Sequence, residues 1–153
     1  RTFVIALAML APPALAADGH STWAVAEGRV TSSDVAEIRE VINRQIDAFR
    51  HDDAQGAFAL VSPAVQQTFR TPEKFLDVVR MAYRAVYRPS TIAFLDFIVL
   101  GDEVVQQVQV TDRGGVVWLA YYAMQRQRDG SWRTNGCHLV HPARTIPAAL
   151  QIE

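Results

Sequence analysis

The chain has 153 residues, half of them hydrophobic and a fifth charged, which suffices for one globular domain with its own core. Lys and Arg total 15 against 16 Asp and Glu, with no basic run, so the composition excludes the electrostatic footprint of a nucleic-acid or anionic-membrane binder. A single cysteine, Cys137, excludes an intramolecular disulfide, and its apolar surroundings are typical of an inert, packed thiol.

The first 16 residues have the pattern of a secretory signal peptide. A basic residue precedes the apolar run TFVIALAML, and the small residues Ala14-Leu15-Ala16 predict cleavage after Ala16. The run is shorter than the roughly 20 apolar residues of a membrane span; an uncleaved anchor or a buried first helix is the alternative. We therefore expect a periplasmic or secreted protein without stable membrane insertion after cleavage, with a flexible leader over residues 17–32 and a C-terminal tail over residues 142–153.

A long amphipathic helix is predicted from residue 34 onward. Its apolar positions recur at steps of three and four along one face, and they are Val35, Ile38, Ile42, Ile46 and Phe49. Ser33 or Asp34 is placed to accept the free amide groups of the first turn. The pattern indicates that one face of this helix packs against the core.

Three more helices are predicted after this one. His51, Asp52 and Asp53 interrupt the apolar stripe, and Asp52 or Asp53 can cap the next helix, although the three side chains could instead gather a cation. Ser62-Pro63 and Thr71-Pro72 then each place a hydroxyl N-cap before a proline at the first helical position.

The second half of the chain reads as antiparallel sheet. Period-two patterning separated by Gly-containing turns predicts a four-stranded meander, with strands at residues 92–100, 104–111, 116–127 and 132–140. A short extended segment at residues 85–88, before Pro89, could add an edge strand. Gly136 predicts a bulge in the last strand.

Two of these strands have no clearly polar side. In the first and third strands, both sets of alternating residues are largely apolar. Because one layer of helices covers only one face of a sheet, the other face needs a partner subunit or a strongly curled sheet. We therefore expect a homodimer or a cone.

Four segments carry a family resemblance. They are Ile42-x-x-Gln45-Ile46-x-Ala48-Phe49-Arg50-x-Asp52-Asp53, Ala57-Phe58-x-x-Val61-Ser62-Pro63, Tyr87-Arg88-Pro89 and Asp129-Gly130-Ser131-Trp132-Arg133-x-x-Gly136-Cys137. Together they resemble an uncharacterised family of small exported bacterial proteins, domain-of-unknown-function family 4864, which is grouped with the nuclear transport factor 2-like (SnoaL-like) superfamily. The resemblance implies a single α+β domain over residues 33–141, in which N-terminal helices pack on a curved antiparallel sheet of four or more strands. It also implies a pocket at the open end of this cone, and it transfers no catalytic residue.

Two side chains are the candidates for catalysis. Asp96 has apolar neighbours on its strand, so we expect a desolvated carboxyl able to act as a general acid or base. The alternative is that Asp96 lies at the rim of the sheet or pairs with an arginine such as Arg84 or Arg88. His138 could shuttle protons or be a hydrogen-bonded filler. Residues expected to line a pocket for an apolar or ring-shaped ligand are Tyr83, Tyr87, Asp96, Trp118, Tyr122 and His138.

The sequence does not define a reaction. His138 and His141 have the wrong spacing for one strand face, so we expect no metal site, and no cofactor motif is present. The favoured hypothesis is a noncatalytic protein that binds a small apolar ligand or a protein partner, including a second copy of itself, through the pocket or sheet face. The alternative is a small pocket enzyme, an isomerase or hydrolase, using Asp96 or His138 with a tyrosine.

Overall fold

The computed structural model describes residues 30–101 and 103–141, which form five helices followed by four strands. The helices are α1 (Ser32–Arg50), α2 (Ala54–Ala59), α3 (Pro63–Phe69), α4 (Pro72–Ala82) and α5 (Arg84–Tyr87), and the strands are β1 (Thr91–Leu100), β2 (Glu103–Thr111), β3 (Val117–Arg126) and β4 (Trp132–Val140). The α+β class is confirmed. The predicted signal peptide, most of the predicted leader and the predicted tail lie outside the described residues.

The first helix begins earlier than predicted. Thr31 is its N-cap, and the side chain of Thr31 accepts a hydrogen bond from the backbone N–H of Asp34. In return Asp34 accepts from the backbone N–H of Thr31, which completes a capping box. Asp34 therefore acts three residues inside the helix and not as the cap itself.

The other predicted caps are confirmed. Asp53 accepts from the backbone N–H of Gly56 and starts α2, which leaves Asp52 free for another role. Ser62 and Thr71 accept from Val65 and Lys74, respectively, and each precedes a proline in the first turn of its helix.

The sheet is an antiparallel meander in the order β1-β2-β3-β4, as predicted. The predicted edge segment at residues 85–88 is wrong, because residues 84–87 form the short helix α5. A helix at this position buries Ala85 and Val86 in the core. Pro89 restricts only the residue immediately before it, so the turn can form.

Register shifts interrupt both edge strands. In β4 the shift falls between Thr134 and Gly136, so the predicted bulge at Gly136 is confirmed. In β1 an unpredicted shift falls between Phe94 and Phe97. The side-chain amide of Gln106 donates to the backbone carbonyls of Leu95 (2.9 Å) and Asp96 (3.3 Å), which stabilises this second irregularity.

The helices cover one face of the sheet. Alternate residues of β2 and β3 are buried there, namely Val104, Gln106, Val108, Val110, Ala120, Tyr122 and Met124. They pack with the apolar face of α1, including Ile38, Ile42 and Ile46. The intervening residues of both strands are partly exposed and form the outer face of the sheet.

Candidate functional site

The structure separates the two candidate catalytic residues. Asp96 lies on β1 and His138 on β4, at opposite edges of the sheet, and both are exposed. Three strand spacings of about 4.8 Å put them about 14 Å apart. The expectation of a desolvated Asp96 is wrong: the β1 bulge directs Phe94 and Phe97 toward the core and leaves Asp96 on the exposed side. Arg88 pairs with another carboxylate.

Two of the predicted pocket residues, Tyr83 and Tyr122, lie near the thiol of Cys137. Tyr122 pairs with Cys137 across β3 and β4, and burial raises the pKa of Tyr122 well above its usual value. Burial also raises the pKa of Cys137 to about 12, an increase that the nearby Tyr122 hydroxyl partly opposes. Burial raises the pKa of Tyr83, and so, to a lesser degree, does its proximity to Cys137. These three groups therefore remain neutral at physiological pH.

Trp118 has a structural role at the turn between β2 and β3. Its indole N–H donates to the Asp112 carboxylate at 3.0 Å, and the edge of its ring meets His141. Asp112 also accepts from the backbone N–H groups of Gly114 and Val116. The tryptophan thus helps to close the hairpin.

Tyr87 belongs to an exposed charged cluster that we call the Asp52 cluster, comprising Asp52, Arg80, Tyr87 and Arg88. The Asp52 carboxylate accepts from the Tyr87 hydroxyl, from Arg80 Nη2 (3.0 Å) and from Arg88 Nη2 (2.6 Å). Arg80 Nε also donates to the Tyr87 hydroxyl at 3.1 Å. Both guanidinium groups lie over the Tyr87 ring, 5.7 Å and 4.9 Å from its centroid.

The charges in this cluster are unequal. Two arginines share the Asp52 carboxylate, and Arg80 also donates to the exposed Asp77 at 3.3 Å. The pKa of Asp52 is lowered first by the Tyr87 hydrogen bond, then by that of Arg80 and by the charge of Arg88. Asp52 has a backbone φ of 56°, a left-handed conformation that Asp tolerates better than most residues. Arg88 Nε is buried and finds no acceptor in the part of the chain that the structure describes. From the sequence alone Asp52 is predicted only as a cap or a cation ligand, because its partners Arg80 and Arg88 are 28 and 36 residues away.

Residues of the other family segments connect helices and strands through hydrogen bonds. Gln45 donates to the carbonyl of Ala57 and accepts from the Thr134 hydroxyl, so it ties α1 to both α2 and β4. Ser62 is fully buried and donates to the Asn135 side chain at 2.6 Å. Their packing role accounts for these residues, whereas the Asp52 cluster is charged and accessible.

Shallow hollows open on the surface of the described residues, and two of them are large enough to consider. One, of about 540 Å³, lies along α1 and α2 and is lined mainly by polar residues such as Glu40, Arg44 and Asp47. The other, of about 640 Å³, is lined by Val30, Trp132 and the ends of β1, β2 and β3. Among the described residues, neither is lined by any of the six predicted pocket residues. Within residues 30–101 and 103–141, no cluster of three or more His, Cys, Asp or Glu side chains could hold a metal ion.

The outer face of the sheet is accessible and largely uncharged at its centre. In one row across it, Val105 pairs with Ile98 and Ala123; in the next two rows, Tyr121 pairs with Gln107 and His138, and Leu119 pairs with Gln109 and Val140. Ile98 is 51% exposed and Val140 is 36% exposed. Glu103, Arg133 and Asp96 lie toward the margins.

These features define an α+β domain with helices on one face of a four-stranded antiparallel sheet. Residues 31–146 match the family described as "Domain of unknown function (DUF4864)", and the chain belongs to this family. Searches of curated proteins and of solved structures found no match. No described helix is long and apolar enough to cross a membrane.

Proposed function

We propose that this protein is a noncatalytic binding protein of the periplasm or extracellular space, and that its outer sheet face binds a second copy of the chain. The observation that carries the proposal is the uncharged, accessible centre of that face, around Val105, Leu119 and Tyr121. The apolar side chains on this uncharged face, such as Ile98 and Val140, favour association, because pairing two such faces removes them from water. The signal-like residues 1–16 support the location.

The helix-facing side of the sheet offers no space for a small ligand, which favours a partner bound on the outer face instead. Tyr122 is 1% exposed, and Val108, Ala120 and Met124 are fully buried, so side chains fill the space that a cone pocket would need. The separation of Asp96 from His138 likewise gives the enzyme hypothesis no support, since general acid–base catalysis needs groups within reach of one substrate.

A second copy is the partner that the charges favour. The outer face carries acidic residues at its margin, Asp96 and Glu103, together with the basic Arg133. A two-fold axis repeats these marginal charges around a neutral centre, so self-association can bring opposite charges together without burying an unpaired charge. The uncharged centre of the outer face has no charges that could pair with those of a strongly charged partner.

We also propose that the domain is a nuclear transport factor 2-like fold. Support comes from the N-terminal position of all the described helices, from the four-stranded meander and from the shifts in both edge strands, which bend a sheet around its helices.

The test is the subunit count of the mature chain, residues 17–153, by native mass spectrometry and sedimentation. We expect a dimer for the natural sequence and a monomer for Val105→Glu and Ile98→Glu, with unchanged circular dichroism. Met81→Glu is the matched control, because Met81 is 78% exposed on α4, away from the sheet. A monomer at about 100 μM for the natural sequence, or a dimer that survives Val105→Glu, would refute self-association. A copurified small molecule bound to the monomer would favour the ligand-binding alternative.

A further inference from the structure

We propose that Arg80 and Arg88 form a binding site for an external oxyanion, a carboxylate or phosphate group, and that Asp52 occupies this site in the free protein. The site lies where the end of α1 meets α4 and α5, so it is independent of the outer sheet face. Its failure would leave the self-association proposal untouched.

Asp52 does not satisfy all the hydrogen-bond donors of Arg88. A guanidinium binds a carboxylate or phosphate best with two parallel N–H groups. Arg88 Nη2 donates to Asp52 at 2.6 Å, whereas its Nε is buried and finds no acceptor among the described residues. Asp52 therefore uses only part of the hydrogen-bonding capacity of this arginine, and an oxyanion that satisfied both nitrogens would bind better.

The guanidinium groups of Arg80 and Arg88 are held in position before any external anion binds. Arg80 is held by its hydrogen bond to the Tyr87 hydroxyl, and the guanidinium groups of Arg80 and Arg88 both lie over the Tyr87 ring. Side chains fixed in this way lose little further freedom when they bind an anion. Their side chains are 41% and 33% exposed, so the pair is accessible from solvent.

The site keeps a net positive charge once Asp52 leaves it. Arg80 Nη1 also donates to Asp77 at 3.3 Å, but Asp77 is 65% exposed and can neutralise at most one of the two arginines. An incoming anion that displaces the Asp52 carboxylate would therefore enter a site of net positive charge.

The experiment uses the mature chain with sodium phosphate or sodium acetate as the probe and sodium chloride at equal ionic strength as the reference. Binding is followed from the NMR signals of the arginine Nε–H groups. We expect Asp52→Asn to tighten phosphate binding about tenfold by removing the internal competitor, and Arg88→Gln in the same background to abolish it. Arg88→Lys keeps the charge but loses the paired N–H groups, so it should also lose most of the affinity.

Two controls separate a built site from general electrostatics. Asp47→Asn changes the net charge as Asp52→Asn does, but at an exposed position on α1, and should alter affinity less than about twofold. Arg84→Gln removes an exposed arginine from α5, the helix that ends just before Arg88, and should have no effect. The proposal is refuted if phosphate and chloride perturb the signals equally, or if Asp47→Asn acts like Asp52→Asn. Tighter binding of acetate than phosphate would identify a carboxylate ligand, and the reverse order a phosphate ligand.

Discussion

Trp132 donates its indole N–H to a carboxylate oxygen of Asp34 at 3.1 Å, although 98 residues separate the two. The same oxygen accepts from Arg126, while the other oxygen accepts from the backbone and side chain of Thr31. Asp34 is only 8% exposed. One carboxylate therefore closes the first turn of α1 and attaches it to the strands β3 and β4.

Asp34→Asn should destabilise the protein by about 1–3 kcal/mol, because asparagine has nearly the same shape but loses the charge and replaces one acceptor with a donor. Urea denaturation at neutral pH measures the loss. Asp47→Asn, on the exposed side of α1, should remain within about 0.5 kcal/mol of the natural protein. Equal effects of the two substitutions would mean that Asp34 stabilises nothing beyond an ordinary surface position.

The contribution of Asp34 should also depend on pH. Burial by itself would raise the pKa of Asp34, but hydrogen bonds from Thr31 and Trp132 and the charge of Arg126 outweigh it, so the pKa lies below the ordinary value of 3.8. A carboxylate whose pKa falls on folding stabilises the protein above its unfolded pKa. The stability difference between the natural protein and Asp34→Asn should therefore be constant above about pH 5 and shrink as the pH falls below 3.8 through the folded pKa.

Ser62→Ala should cost more stability than Thr71→Ala. Both residues cap a helix just before a proline, so each substitution loses a capping bond worth about 1 kcal/mol. Ser62 is also fully buried and donates to Asn135 on β4, whose acceptor would lose its partner. In urea denaturation we expect Ser62→Ala to lower the free energy of unfolding by about 1 kcal/mol or more beyond the loss for Thr71→Ala. Equal losses would show that the bond to Asn135 contributes nothing.

The sequence predicted those parts of the fold that depend on neighbours along the chain. The hydroxyl–proline caps, the helix stripe of α1 and the bulge at Gly136 are all local signals, and the structure confirms them. The sequence predicts too late a start for α1, because Ser33 and Asp34 are also good capping residues. Only the capping box between Thr31 and Asp34 identifies Thr31 as the N-cap.

The site could not be predicted in the same way. No glycine or proline marks the bulge in β1, which is stabilised by Gln106 on the adjacent strand, so the assumption of regular alternation assigned Asp96 an apolar environment. Asp52 likewise meets Arg80 and Arg88 only because α4 and α5 fold back onto the end of α1. Such contacts depend on tertiary structure, and the periodicity of apolar residues along the chain gives no information about it.

Gln106→Leu should destabilise the protein by about 2 kcal/mol or more. The substitution keeps the volume but removes the donor to the carbonyls of Leu95 and Asp96, and it leaves Arg39 without the Gln106 acceptor. Gln109→Leu, on the outer face of the same strand, is the control and should change stability by less than about 0.5 kcal/mol. Hydrogen exchange should increase in β1 for Gln106→Leu alone. Unchanged exchange there would show that the bulge does not need this side chain.

Cys137 should react slowly in the native protein, although it is only partly buried. Burial raises its pKa to about 12 from an ordinary value of 9.0, which lowers the thiolate fraction near pH 8 roughly a thousandfold. A disulfide reagent should therefore react with the unfolded chain at least about a hundred times faster than with the folded one. Comparable rates in buffer and in denaturing urea would contradict this prediction and would make Cys137 an accessible thiol.

Tyr122→Phe should leave the stability unchanged or raise it slightly. The Tyr122 hydroxyl is buried and has no hydrogen-bond partner among the described residues other than the weak neighbouring thiol of Cys137, so its removal relieves a desolvation penalty. The matched control is Tyr121→Phe on the outer face, where the hydroxyl accepts from the Gln107 side chain at 3.4 Å and the loss should be below about 0.5 kcal/mol. A loss above about 2 kcal/mol for Tyr122→Phe would mean that the hydroxyl is satisfied, by an internal water or a bound molecule, and that the helix-facing side of the sheet is not filled by side chains alone.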